Sequence, residues 1–301
     1  CFCYTYRMKI MKQKQNLGSL LIFLSALMFG SYGMWSRLIG SAMGNFFQGW
    51  TRAACILLLL IPLLFWRREI AVIKKKDWGW LSLFLLFTSL TLAPLFYAFN
   101  NMDIASASLL FFVSMFLTMN AIGFLFFNEK ITIIKIIASF LALIGMYLVF
   151  SFSLDNFTLL AAVMAVVAGV ASGGEVGFSK KLTGQYSPLY VVALSWFIIL
   201  ISNFILSLAL GETQLALAFS MPWLWQLLYS LASLLGFWLV IAGFKYIDAS
   251  IGSLIGLLEI IFSIILGLVV FKENLTFSII IGGILIITAA ALPHILQRKY
   301  S

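Results

Sequence analysis

Long apolar runs, divided by short polar breaks, leave this chain few structures to adopt. They fall at about 17–36, 46–66, 78–99, 104–127, 131–152, 157–178, 188–210, 222–244, 249–271 and 276–296. A helix that crosses a bilayer needs roughly 20 mostly apolar residues. Backbone without internal hydrogen bonds cannot sit in hydrocarbon, so continuous runs of this length are helices and not barrel strands. The predicted fold class is an all-α integral membrane protein of ten transmembrane helices. Of the 301 residues 63% are hydrophobic and 10% charged, against about half and about a quarter in soluble domains. That composition excludes a soluble enzyme and leaves no room for an extramembrane catalytic domain.

The excess of basic over acidic residues, 19 against 10, is a topology signal and not a nucleic-acid surface, because positively charged loops stay in the cytoplasm. With the N-terminus inside, the cytoplasmic segments hold Arg7, Lys9, Lys12 and Lys14, then Arg67, Arg68 and Lys74 to Lys76, then Lys130, Lys135, Lys180, Lys181, Lys245, Arg298 and Lys299. Only Arg37 and Lys272 fall outside, and Arg52 lies within a helix. Both termini are therefore expected in the cytoplasm of a bacterial inner membrane. The Lys74–Lys76 run can also meet anionic lipid head groups. Residues 1–7 precede Met8 and carry no weight, and the run from Leu17 continues without a small-residue cleavage site, so it reads as a first membrane helix.

The chain also repeats itself. Gly30-Ser-Tyr-Gly-Met-Trp-Ser-Arg-Leu-Ile-Gly40 matches Gly174-Glu-Val-Gly-Phe-Ser-Lys-Lys-Leu-Thr-Gly184, and Phe127-Asn-Glu-Lys-Ile-Thr132 matches Phe271-Lys-Glu-Asn-Leu-Thr276, both 144 residues on. Phe99-Asn-Asn-Met-Asp-Ile-Ala-Ser-Ala-Ser108 matches Phe244 to Ser253 one residue further. Each half holds an odd number of helices, five, so the second enters the membrane inverted. Inverted repeats characterise secondary transporters, whose site lies near the midplane between halves. The expected organisation is a cytoplasmic tail over 1–15, a first repeat over 16–152, a second over 153–296 and a tail over 297–301.

At these residues the chain resembles the drug/metabolite transporter superfamily, in its ten-helix, two-repeat EamA-type branch, over essentially residues 16 to 295. The resemblance is carried by Tyr97 to Ser108 and its counterpart Ala242 to Ser253, by Glu129 and Glu273 ahead of apolar helices, and by Arg52. The family's second repeat often shows Leu-Glu-Pro in the ninth helix, where this chain has Leu258-Glu259-Ile260. The resemblance implies export or import of amino acids, metabolites, nucleosides or cationic drugs, proton-coupled or facilitated.

A charge near the bilayer centre costs about 2.5 to 3.5 kcal/mol on insertion scales, so embedded charges are candidate function. Glu259 lies about 15 Å along the ninth helix at a rise of roughly 1.5 Å per residue. It is the leading candidate, as a binder of a cationic group or a carrier of a proton, with pairing to Arg52 as the structural alternative. Glu175 lies in a run of small residues suited to close helix packing and is expected to pair locally with Lys180, with a pathway role as the alternative. Arg52, whose counterpart in the second repeat is Trp196, can neutralise Glu259, hold a substrate carboxylate with its forked donors or snorkel to the outer interface. Tyr32, Trp35, Tyr97, Asn100, Asn120 and Trp238 are the uncharged candidates for a cavity wall, Asn120 alternatively bridging helices. Pro94 is expected to kink the third helix. Trp78, Trp80, Trp223 and Trp225, at helix starts, read as interface-belt residues.

The reading is a secondary transporter of small organic solutes, the alternatives being a channel or a non-transporting scaffold. No Walker-type loop occurs, so ATP cannot be hydrolysed by this chain, and coupling would come from an ion gradient, a proton on Glu259 being the candidate. No enzyme activity, cofactor or metal is expected: His294 is the only histidine, without a second ligand in helical spacing, and Cys1, Cys3 and Cys55 form no paired spacing. The expected partners are a small-molecule substrate, membrane lipid and protons, with no nucleic acid. The pattern specifies no particular substrate, direction or oligomeric state.

Overall fold

The computed structural model describes residues 2–102, 104–150 and 158–297. Asp103 of the repeat match, the ends of the fifth and sixth apolar runs at 151–157, and Cys1, Arg298 and Lys299 lie outside them, as do the side chains of Cys3, Arg7, Lys9, Lys12 and His294. Among the described residues there are helices and no strand. The first membrane segment is α1 (Phe2–Gly30) continued by α2 (Tyr32–Ile39), and the second is α3 (Asn45–Arg67). The third is α4 (Trp78–Ser89) with α5 (Leu92–Asn101); α6 (Ile104–Phe127) and α7 (Ile133–Phe150) complete the first half. The second half is α8 (Leu159–Leu182), α9 (Pro188–Ala209), α10 (Met221–Phe244), α11 (Ala249–Gly256) with α12 (Leu258–Phe271), and α13 (Phe277–Gln297). Nine of these segments are long and apolar enough to cross a membrane, and Phe277–Pro293 is a shorter apolar tenth.

Local chemistry sets the helix ends. Ser187 accepts from the Tyr190 N–H at 3.2 Å and Pro188 opens α9, a cap followed by a residue whose missing N–H is no loss there. The two repeat-related loops fold alike in detail. Asn128 and Lys272 both take left-handed φ, 51° and 55°, ending α6 and α12 as helix stops. Thr132 and Thr276 then each cap the next helix, accepting from the N–H three residues on at 3.3 Å.

Three spans are interrupted, at Ser31, at Leu90–Thr91 and at Leu257. The second break has a direct cause, since Pro94 lacks an N–H and its ring crowds the carbonyl four residues back, that of Leu90. The first and third have no proline, and they meet: a Cβ on Gly30 would stand 2.8 Å from the Glu259 carbonyl and 2.6 Å from the Phe262 Cβ. Glycine there lets the end of α1 lie directly on the start of α12.

The halves interlock through pseudo-symmetric pairs, α3 with α9 and α7 with α13, while α1 lies on α10 and α8 on α4, α5 and α6. The small-residue run at 168–174, expected to be a packing face, is one: Cβ atoms on Gly169 and Gly173 would fall 2.2 Å from the Phe111 carbonyl and 2.6 Å from that of Met115, and the face extends to Gly177, where a Cβ would fall 2.9 Å from Ile122 Cδ1. The largest apolar core sits at the end bearing Lys74–Lys76, Lys180 and Lys245, hereafter the basic end, and joins Ile22, Leu60, Phe84, Ile122, Phe178 and Phe244 across both halves. Leu58, Phe65, Leu125 and Val269 face outward, as the hydrocarbon environment allows. Gly173→Val should force α6 and α8 apart and lower the melting temperature in detergent by the equivalent of about 2–3 kcal/mol. Gly79→Ala, where a Cβ meets nothing within 4 Å, should leave it unchanged or slightly raised.

Candidate functional site

Helix α3 carries Arg52 into the contact between the halves, where it is 5% exposed. Its guanidinium carbon lies 4.0 Å from the ring centre of Tyr229 on α10, and 5.6 Å from those of Tyr32 on α2 and Trp196 on α9. Trp196, 1% exposed, is the repeat counterpart of Arg52, so the crossing of α3 and α9 brings the two equivalent positions face to face. Two buried donors of this cage, Arg52 Nε and Trp196 Nε1, have no hydrogen-bond partner among the described residues, and the Tyr32 and Ser233 hydroxyls meet only each other. Arg52 forms no ion pair with another described residue either. Beside the cage the α3–α10 contact is polar, the Gln226 amide donating to the Gln48 carbonyl and to Thr51 Oγ1, both at 2.7 Å.

Glu259 opens α12 immediately after the Leu257 break and is half-buried. It makes no ion pair or hydrogen bond with another described residue, and the pairing with Arg52 weighed from the sequence does not form. Tyr32 lies within electrostatic reach of both. Trp35, also on α2, donates to Ser31 Oγ at 3.0 Å and packs on Trp225.

The other candidates are dispersed. Glu175, 3% exposed, accepts from Ser195 Oγ on α9 at 2.6 Å. The expected pairing with Lys180 does not form, because five positions turn a helix by about 500°, leaving the two side chains about 140° apart. Asn120 donates to Ser253 Oγ at 3.2 Å, tying α6 to α11 as its alternative reading had it. Trp238 packs into the large core. Tyr97 and Asn100 are exposed on α5, whose buried face carries Pro94 and Ala98, and the structure does not bring them to the Arg52 cage. Of the belt tryptophans, Trp78 is exposed, whereas Trp80 packs on Phe178 and Trp223 on Phe47. Among residues the sequence reading passed over, Gln226, Tyr229, Ser230 and Ser233 follow the spacing i, i+3, i+4, i+7, the signature of one helix face.

Two carboxylates six residues beyond a glycine close the opposite ends of the molecule. Glu129 folds back over Gly123 and receives the Lys180 ammonium at 2.9 Å, the Ala249 N–H at 2.6 Å, and the N–H and hydroxyl of Ser250 at 3.1 and 3.0 Å. Glu273 folds back over Gly267 and pairs with Arg37, whose guanidinium lies 4.0 Å from the Phe271 ring centre. Each carboxylate crosses to the other half. The Glu129 cluster is buried, while the Arg37–Glu273 side chains are 55% and 51% exposed, where an ion pair contributes at most about 1 kcal/mol. Burial works against the Glu129 carboxylate, but the Ala249 N–H and the Lys180 charge outweigh it and hold its pKa below the usual range.

A family model described as the EamA-like transporter family matches residues 16–151 and again residues 159–293. No curated protein matches the chain. Among solved structures, one titled only "Crystal structure of protein" superposes with a TM-score of 0.77 over 93% of this chain and 98% of its own, at 16% identity. That is a likeness of fold.

A carboxylate with a depressed folded-state pKa stabilises the fold above its unfolded pKa and loses that contribution as pH falls through the folded value. The purified protein should therefore lose melting temperature as pH drops through and below the ordinary carboxylate range. Glu129→Gln should cost about 3 kcal/mol near neutrality, the scale for breaking a buried pair, and should flatten that acid-side decline.

Proposed function

Since the chain belongs to the EamA-like transporter family, which accounts for both of its halves, we propose that it is a secondary transporter moving small organic solutes by alternating access. The observation that carries this reading is the pair of repeat-related carboxylates, Glu129 and Glu273, each reaching across to the opposite half at opposite ends. With Glu129 held by several buried donors and Glu273 by one exposed arginine, the basic end is the firmly closed one and the other the readily opened one. Rocking the halves would exchange those states, as inverted repeats permit.

The solute site lies at Arg52, Tyr32, Trp196 and Glu259, to which both halves contribute. Glu259 is the coupling group: an embedded carboxyl without a salt-bridge partner can take a proton from one side and release it to the other. The basic end lies in the cytoplasm of a bacterial inner membrane, with both termini there, because Lys and Arg concentrate at it.

In proteoliposomes, Glu259→Gln should abolish uptake driven by a pH gradient while leaving counterflow exchange intact; loss of neither would remove the proton role. With Cys1, Cys3 and Cys55 replaced by serine, Lys75→Cys should react with a membrane-impermeant maleimide only from the cytoplasmic face and Lys272→Cys only from outside. The reverse pattern would invert the orientation.

A further inference from the structure

The Arg52 cage is built from donors. Its guanidinium presents planar, forked N–H groups, Trp196 Nε1 can only donate, and the Tyr32 and Ser233 hydroxyls, which meet each other, have further hydrogen-bonding capacity. A guanidinium taken out of water loses both its solvation and its hydrogen-bond acceptors, and burying such donors unpaired is costly. The three ring faces attract the charge but supply no acceptor for its N–H groups.

Nor does an acid among the described residues. Glu175 is engaged by Ser195, Glu212 by the Phe46 and Phe47 N–H groups, Glu129 by Lys180 and Glu273 by Arg37. Glu259 forms no pair with Arg52. What the cage lacks is one negative charge with several lone pairs in a plane, matching a single guanidinium. A carboxylate has that form; a phosphate monoester, carrying about −1.5 to −2 at neutral pH, exceeds the one positive charge present.

The geometry points to the Arg52 cage as the binding site for the carboxylate of an organic solute, gripped by Arg52, Trp196, Tyr32 and Ser233, with the rings of Tyr229 and Tyr32 against its apolar body. This rests on the transporter reading above and names the class of its substrate. Arg52 belongs to the first repeat and Trp196 to the second, so a bound carboxylate would touch both moving halves.

The test uses the full chain purified in detergent, with L-leucine, L-phenylalanine and 3-phenylpropionate as probes against their methyl esters and 2-phenylethylamine. The free carboxylates should raise the melting temperature and the esters and amine should not. Arg52→Gln should abolish the effect, and Arg52→Lys should weaken it at least tenfold. Should the Arg52 variants fold poorly, Trp196→Phe keeps a ring at that position and should weaken carboxylate binding about fivefold, the loss of one hydrogen bond. Equal stabilisation by acids and esters, or no stabilisation of the folded wild type by any of the carboxylates, would overturn the site. Liposome flux separates the two readings. Transport of esters or amines undiminished in Arg52→Gln leaves the transporter standing without its carboxylate site, and carboxylate binding with no flux of any probe removes the transporter and leaves the site.

Discussion

The carboxylate of Glu129 is the junction on which the rest of the structure leans. It belongs to the end of one half, yet its hydrogen-bond partners are Lys180, Ala249 and Ser250 of the other. By capping the first N–H groups of α11 it places negative charge at the positive end of that helix and fixes where the ninth span begins. Lys135 to Asp248 at 2.9 Å and Asn120 to Ser253 hold the same short helix from α7 and α6. The span held in this way breaks at Leu257, and Glu259 opens α12 just beyond the break.

A second exchange ties α3 to α9. Glu212, just past α9, accepts from the Phe46 and Phe47 N–H groups at 3.1 and 2.7 Å, while Glu69, just past α3, accepts from the hydroxyl of Ser187, the cap of α9. Each helix is thus held at its start by the acid that follows the other's end, at both ends of an antiparallel pair. Arg52 and Trp196 face each other within that rigid crossing. Their contact is thus supported by hydrogen bonds made outside it, at the two ends of the crossing.

The two halves repeat in fold and diverge where chemistry is concentrated. Gly30-Ser31 breaks a span, while its counterpart Gly174-Glu175 continues through α8, its glycine against the Phe87 ring. Arg52 has a tryptophan for its twin. Glu129 is buried in a web of donors, and Glu273 meets one exposed arginine. The symmetric parts, the left-handed helix stops at Asn128 and Lys272 and the threonine caps after them, are scaffolding that both orientations need. Asymmetry gives the molecule one embedded cation without a mirrored second and one end held more tightly than the other.

The spans, the fold class, the inverted repeat and the family were legible in the residues themselves, because hydrocarbon forbids unpaired backbone and so writes helix length directly into local composition. The Pro94 break was legible for the same reason: its cause lies within four residues of its effect. The polar stripe Gln226, Tyr229, Ser230 and Ser233 was present in the spacing, although nothing along the chain said that it would meet α3. Partners were another matter. Lys180 looked five residues back to Glu175 and in fact pairs with Glu129, 51 residues away; Glu259 and Arg52, plausible counter-ions by depth, stay apart; Tyr97 and Asn100 fall on the exposed face of α5. Depth and periodicity are properties of one helix, whereas the partner of a side chain depends on which helices cross and at what rotation, and glycine contacts such as Gly30 on Glu259 and Gly173 on Met115 decide that only once the chain has folded.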